Sequence, residues 1–261
     1  MELSLQGKTA IVTGASRGIG RAIALALAGE ACNLVLMART RSDLEETRAR
    51  VLDINARCSV AVHAIDLRDS RAIDEAVERY ANADVLVNNA GAIPHGSLLD
   101  LDEAEWLDGW QLKVFGHIRM TRGFYRSMKA RSSGVIINII GSAGERVLPS
   151  YIAGSTGNAA LIAFTKAVGA ASPADGIRVV GINPGPILTE RLQKRLRQRA
   201  DTELGDADMW QAFTRDMPFG RPGDPREIAD VVAFLASPRA GYISGTVITV
   251  DGGLANRPTQ T

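Results

Sequence analysis

Between residues 13 and 20 the chain reads Thr13-Gly14-Ala15-Ser16-Arg17-Gly18-Ile19-Gly20, with glycines spaced to carry phosphate. Gly14 permits a tight turn, Gly18 lets the backbone approach an anion, and Gly20 lets a following helix pack closely on a strand. A helix opening there turns free N–H groups toward the ligand, and its dipole favours negative charge. The chemistry served is dinucleotide binding. A second stretch bears on which dinucleotide. An NAD site carries an acid that accepts from the adenosine ribose 2′-hydroxyl, whereas an NADP site carries an arginine for the 2′-phosphate. Here the chain reads Met37-Ala38-Arg39-Thr40-Arg41, with no acid before Asp43. Arg39, with Arg17 reaching from the glycine turn, is set to clamp a phosphate by charge-assisted bonds. NADP(H) is the expected cofactor in preference to NAD(H), the alternative being that both arginines are ordinary surface residues.

These groups need strand–turn–helix units to hold them, and the chain alternates such patterns along its length. Short β-branched runs predict seven strands at 8–13, 33–37, 59–65, 84–87, 134–139, 177–182 and 246–250. Helical patterns lie between them, among them 21–29, 42–55 and 70–80. The strands lack polar alternation, as suits parallel strands covered on both faces. Strand and helix alternating in this way predict an α/β chain. The expected architecture is a single Rossmann domain over 1–261, with a seven-stranded, doubly wound parallel sheet. The least regular stretch is 189–220, which opens with Arg191, Lys194, Arg195, Arg197 and Arg199. These basic residues predict a solvated helix face; the sharper alternative is a substrate lid over the crevice.

Bulk properties exclude several classes. With 46% hydrophobic and 23% charged residues and a net charge of +1, no global field favours nucleic acid or a membrane surface. Cys32 and Cys58 sit in apolar stretches without metal-ligand spacing and read as small buried hydrophobes. His63, His95 and His117 are likewise scattered, so no metal is expected. No apolar segment approaches the roughly 20 residues of a spanning helix, and no signal-peptide pattern opens the chain. The cytoplasm is the expected compartment.

Taken with further motifs, the glycine turn resembles that of the short-chain dehydrogenase/reductase family, over nearly the whole chain. Asn88-Asn89-Ala90-Gly91 is similar to the family's N-N-A-G, and Asp66-Leu67 to its acid facing adenine. Pro184-Gly185-Pro186-Ile187-Leu188-Thr189 resembles the P-G-x-x-x-T segment that holds the nicotinamide carboxamide. Residues 220–253 resemble the family's last helix and strand. The resemblance implies a cofactor site at Gly14, Ser16, Arg17, Gly18, Ile19, Gly20, Arg39, Asp66, Leu67, Asn89, Ala90, Gly91, Pro184, Gly185, Ile187 and Thr189. It also implies hydride transfer between a nicotinamide and a small carbonyl or alcohol, in a homotetramer or homodimer.

The catalytic pattern departs from the family. A hydride arriving at a carbonyl carbon leaves an alkoxide, which needs a proton from a group about 3 Å away. The family supplies it from a Y-x-x-x-K pair, with a serine orienting the substrate oxygen and an asparagine on the preceding helix. Ser142 matches the serine. A gap-free count back from Asn183-Pro184-Gly185 puts Gly154 at the tyrosine and Asn158 at the lysine, while Lys113 falls at the asparagine. Tyr151 has Ser155 four residues on, so a slipped register restores nothing. In this register lysine and asparagine are exchanged between two facing helices. In that arrangement Lys113 returns an ammonium to the pocket, lowered in pKa by burial and able to donate a proton. Tyr151, one turn ahead, can swing its phenol into the space left by Gly154. The alternatives are a solvated Lys113, a capping Asn158 and a packed Tyr151. His95, near the crevice mouth by resemblance, is a further candidate for substrate contact or a surface loop residue. The first expectation is an NADP(H)-dependent oxidoreductase with an altered tetrad. A catalytically inactive NADP(H)-binding protein, or redox-neutral chemistry with bound cofactor, stands beside it.

Overall fold

A computed structural model describes residues 2–257. The strands are β1 (Thr9–Thr13), β2 (Asn33–Ala38), β3 (Val60–Ala64), β4 (Val85–Asn88), β5 (Gly134–Ile139), β6 (Ile177–Pro184) and β7 (Val247–Val250). All pair in parallel, in the order β3-β2-β1-β4-β5-β6-β7, which is the expected doubly wound Rossmann sheet. The helices are α1 (Gly18–Gly29), α2 (Arg41–Ile54), α3 (Ser70–Arg79), α4 (Glu103–Trp110), α5 (Gly116–Ala130), α6 (Ile152–Ala171), α7 (Glu190–Leu204) and α8 (Pro225–Ala236).

Alternation within apolar strands assigns each side chain to a layer. In β1, Ala10 and Val12 pack with Ile23 and Leu27 of α1 and Ile228 and Val232 of α8. Ile11, between them, packs on the other face with Ile73 of α3 and Met120 and Phe124 of α5. Local chemistry sets several helix starts. Asp102 and Asp224 each close a capping box, with Glu105 and Glu227 respectively, and Pro225 occupies the first turn of α8. Cys32 and Cys58 are both buried and free.

Two boundaries differ from the sequence pattern in ways that matter for the site. Helix α1 starts at Gly18 rather than residue 21, because helical backbone begins inside the glycine motif, where apolar periodicity carries no signal. Helices α4 and α5 are joined without a break by a π-helical turn, Gln111–Phe115. The 189–220 stretch is more regular than expected, holding α7 and a 3-10 helix at Ala207–Thr214. The winding reverses between β1 and β4, where a crevice opens at the carboxyl ends of the strands. The segments after β1 to β6 all leave the sheet at that edge.

Candidate active site

The glycine turn is built so that no side chain can replace its hydrogen atoms. Gly14 (φ +65) and Gly18 (φ +54) lie in the left-handed region. A Cβ on Gly14 would stand 2.9 Å from Ala90 Cα, and one on Gly20 would stand 2.1 Å from the Gly14 carbonyl oxygen. The turn is tied to the N-N-A-G segment through one hydroxyl. Thr13 Oγ1 donates to the Val87 carbonyl (3.3 Å) and accepts from the amides of Asn89 (2.9 Å) and Ala90 (3.0 Å). Asn89 Nδ2 in turn donates to the Thr13 carbonyl at 3.0 Å. Ile19 packs on the core beneath.

Two residues that the sequence did not flag hold the turn from below. Buried Thr47 of α2 contacts the carbonyls of Ala15 (3.1 Å) and Ser16 (3.3 Å). Arg21 donates to the Ser16 carbonyl at 2.5 Å and pairs with Glu46. Only the fold brings Thr47 and Glu46 of α2 under the turn, so their contacts have no local signature.

Arg17 and Arg39 are both exposed, and the Ala15 amide donates to the Met37 carbonyl (3.2 Å), tying their two segments together. Neither pairs with a carboxylate among the described residues. Asp66 accepts from the amide and guanidinium of Arg68, which also grips Asp108 at 2.6 Å. Leu67 is buried against Gly116, where a Cβ would meet it at 3.4 Å. On the far side, Pro184 ends β6 and the Gly185 amide donates to the Val250 carbonyl at 3.0 Å. Ile187 is buried, and Thr189 caps α7 through Leu192 N (3.3 Å). The Thr189 methyl would be 3.1 Å from a Cβ on Gly18, so the two loops face each other across a narrow trough.

The catalytic candidates converge on the exit of β5. Lys113 sits in the π-helical turn and donates from Nζ to the Ile140 carbonyl at 2.5 Å. Its stem packs against Gly91, where a Cβ would be 2.8 Å from Lys113 Cδ. Burial, reinforced by the Arg191 charge, lowers its pKa to about 8. Asn158 is 2% exposed, and its amide meets the next residue, Gly141 (φ +148), from the opposite helix. Its Oδ1 has no partner. Ser142 follows at the head of a short 3-10 turn, Ser142–Gly144. Thus Lys113 and Asn158 reach consecutive residues of one strand exit from α6 and from the helix facing it, and Lys113 points inward rather than to solvent.

Tyr151 occupies the space that Gly154 leaves. A Cβ on Gly154 would fall 1.9 Å from Tyr151 Cζ, so the ring lies where a larger residue would project. Burial raises the phenol pKa, while Arg191 and Arg195 pull it down. The His95 ring stacks on it, with centroids 4.2 Å apart and planes at 25°. His117, one turn beyond Lys113, was not expected at the site at all. Buried and held neutral, its pKa lowered to about 3 by burial and by Lys113, it donates from Nε2 to the Ala90 carbonyl (3.0 Å).

The basic residues of α7 are all exposed, as expected of a solvated face, but they differ in what they contact. Arg197 and Arg199 pair with Asp208 (2.6 Å) and Glu203 (2.7 Å). Arg191 instead donates to the Gly91 carbonyl (3.3 Å), and Arg195 to His95 Nε2 (2.6 Å). A helical spacing of four puts these two arginines on one side of α7, turned to the crevice.

Residues 14–255 match the family model described as enoyl-(acyl carrier protein) reductase. The chain is 34% identical over 254 residues to 2-keto-3-deoxy-L-fuconate dehydrogenase of Xanthomonas campestris, covering 97% of this chain and 81% of that one. It is 34% identical over 256 residues to 3-oxoacyl-(acyl-carrier-protein) reductase of Vibrio cholerae, covering 97% and 99%. Among solved structures, L-sorbose reductase from Gluconobacter frateurii, complexed with NADPH and L-sorbose, superposes with a TM-score of 0.92. That pair is 32% identical over 99% of this chain and 100% of the other. An NAD+-bound xylitol dehydrogenase superposes with a TM-score of 0.88 at 26% identity, over 96% and 100% of the two chains.

Proposed function

The chain belongs to the short-chain dehydrogenase/reductase family, and from that premise we propose that it is an NADP(H)-dependent oxidoreductase with a relocated proton donor. A bound nicotinamide supplies or accepts the hydride at a carbonyl or alcohol carbon. The trough fits such a cofactor: any side chain at Gly14 or Gly20 would strike backbone, and among the described residues no carboxylate pairs with Arg17 or Arg39. The glycine turn and the α1 N-terminus hold the pyrophosphate. Arg17 and Arg39 take the 2′-phosphate, and so favour NADP(H). Asp66 and Leu67 flank the adenine end. Asn89, Ala90, Gly91, Pro184, Gly185, Ile187 and Thr189 line the nicotinamide end.

The observation that carries the reading is the Lys113 ammonium, seated at the β5 exit on the Ile140 carbonyl. A group with pKa near the working pH is well matched to general-acid work. In reduction, Lys113 gives its proton to the developing alkoxide, and Ser142 orients the substrate oxygen. Asn158 stands as the uncharged neighbour of Lys113 at the β5 exit, and Tyr151 closes the wall over Gly154. The 189–220 segment covers the crevice as a lid. The protein is further read as a cytoplasmic homodimer or homotetramer; among the described residues no helix is long and apolar enough to cross a membrane.

The test is a pH profile of carbonyl reduction with NADPH. Proton donation from Lys113 predicts kcat/KM falling as pH rises through about 8 and a mirrored rise for alcohol oxidation. Donation from Tyr151 puts the inflection higher, because burial raises that phenol. NADPH-induced stabilisation with no turnover across a broad carbonyl panel would instead assign a cofactor-binding protein. Product formation without net change in nicotinamide absorbance would assign redox-neutral chemistry.

A further inference from the structure

We propose that the substrate carries an oxyanion, a carboxylate or a phosphate, seated between Arg191 and Arg195 above the Lys113 end of the crevice. The inference rests on the oxidoreductase reading and names the substrate class of that same site. Its first support is the division of labour along α7. Arg197 and Arg199 each have a carboxylate at ion-pair distance, 2.6 and 2.7 Å. Arg191 and Arg195, exposed as well, have none among the described residues; their partners are a carbonyl oxygen and a ring nitrogen on the segment after β4. Like charges four residues apart on a helix repel, so this unpaired couple is unfavourable until an anion joins it.

The second support is the sign of everything around them. Lys113 feels Arg191, His95 feels both Arg195 and Arg191, and Tyr151 feels both arginines, with no carboxylate acting on any of the three. The nicotinamide end of the trough is therefore a cationic pocket in a chain whose net charge, these cations included, is only +1. Arg191 contacts Gly91, the residue after the Ala90 that packs against Gly14 of the glycine turn, whereas Arg195 reaches further from that turn, to His95. The third support is that burial and the arginines lower the pKa of His95, so its neutral Nε2 accepts from Arg195 and holds that guanidinium beside the ring that stacks on Tyr151. A guanidinium held by one of its donors keeps others free for bidentate binding of a planar or tetrahedral oxyanion. Two such groups beside a reducible carbonyl suit a keto acid or a keto phosphate of short chain.

The experiment compares matched pairs with NADPH: 2-oxobutyrate against methyl 2-oxobutyrate, and dihydroxyacetone phosphate against dihydroxyacetone. The expected result is kcat/KM at least ~100-fold higher for the anionic member of one pair. Which pair shows it identifies the carboxylate or the phosphate. In Arg195→Gln that preference collapses by ~100-fold, and Arg195→Lys restores part of it, since charge returns without the fork. NADPH affinity by fluorescence titration stays within about twofold of wild type in both variants. Equal turnover of charged and neutral members, or a preference that survives Arg195→Gln, overturns the proposal. So does a parallel loss of NADPH affinity, which would give the arginines to the cofactor. If no carbonyl is turned over, the oxidoreductase reading fails on its own, and thermal shifts by 2-oxobutyrate and inorganic phosphate on the NADPH complex decide this one. A shift abolished by Arg195→Gln supports the anion seat; no shift from either anion overturns it.

Discussion

Replacing Lys113 with methionine should separate stability from activity, in a way that depends on pH. The ammonium has its pKa lowered from 10.5 to about 8, chiefly by burial and then by Arg191. Keeping it charged in that place costs ~3 kcal/mol at pH 7 relative to the unfolded chain. Because the folded pKa lies below the unfolded one, the unfolded chain binds more protons between about 8 and 10.5. Wild-type stability therefore rises with pH there, by ~1.3 kcal/mol from pH 7 to pH 9. Methionine fills a similar volume and removes the charge, but it leaves the Ile140 carbonyl without its donor, which costs ~1–3 kcal/mol at either pH. The absolute change at pH 7 is thus a small difference of two larger quantities. The change in that difference is not: Lys113→Met should lose ~1.3 kcal/mol of its standing against wild type between pH 7 and pH 9. Urea unfolding at the two pH values measures it, with unchanged m values as the check on two-state behaviour. Turnover should fall ~10²–10⁴-fold at all pH values if the lysine is the donor. A stability difference that is flat in pH would refute the burial argument, whatever happens to activity.

Three further outcomes follow from the same geometry. Gly20→Ala forces a Cβ against the Gly14 carbonyl and should weaken NADPH binding by ~10–100-fold, read as loss of the NADPH-induced rise in Tm. Arg39→Asp removes one arm of the 2′-phosphate clamp and should weaken NADPH ~10–100-fold while leaving NADH unchanged or improved, by titration of both cofactors. His117, held neutral with a pKa near 3 against 6.5 when unfolded, makes the unfolded chain the better proton binder as pH falls below about 6.5. Wild type should lose ~1.4 kcal/mol from this source by pH 5.5, and His117→Gln should lack that loss in acid unfolding curves.

How far the sequence reaches follows from the range of the interactions. The strands and the glycine turn were legible because strand runs and turn glycines are local patterns, and all seven strands lie where they were expected. The exchanged positions of Lys113 and Asn158 were legible only through family register, and Lys113 does turn inward to the β5 exit. Thr47 and His117 were not legible. Each acts on a backbone carbonyl of another segment, and nothing in its own neighbourhood marks the partner. The arginines of α7 are exposed as expected, but composition cannot tell which of them meet acids and which meet the segment after β4. For Arg191 and Arg195 the answer lay a hundred residues away, in Gly91 and His95.

The π-helical turn at Gln111–Phe115 bears on how such a chain can change. A turn of this kind takes in one residue more than an α-helical turn, so it rotates whatever follows by ~100° relative to whatever precedes it. Upstream, Trp110 is fixed by its indole donating to the Ala153 carbonyl at 2.9 Å. Downstream, Met120 and Phe124 are fixed in the core. The two halves of the helix are thus anchored separately, and Lys113 occupies the joint where neither half dictates the side chain. A residue placed there can be exchanged for another of different charge while both packing registers persist. The cost of rewriting the chemistry there is then confined to what Lys113 itself touches, the Ile140 carbonyl and Gly91.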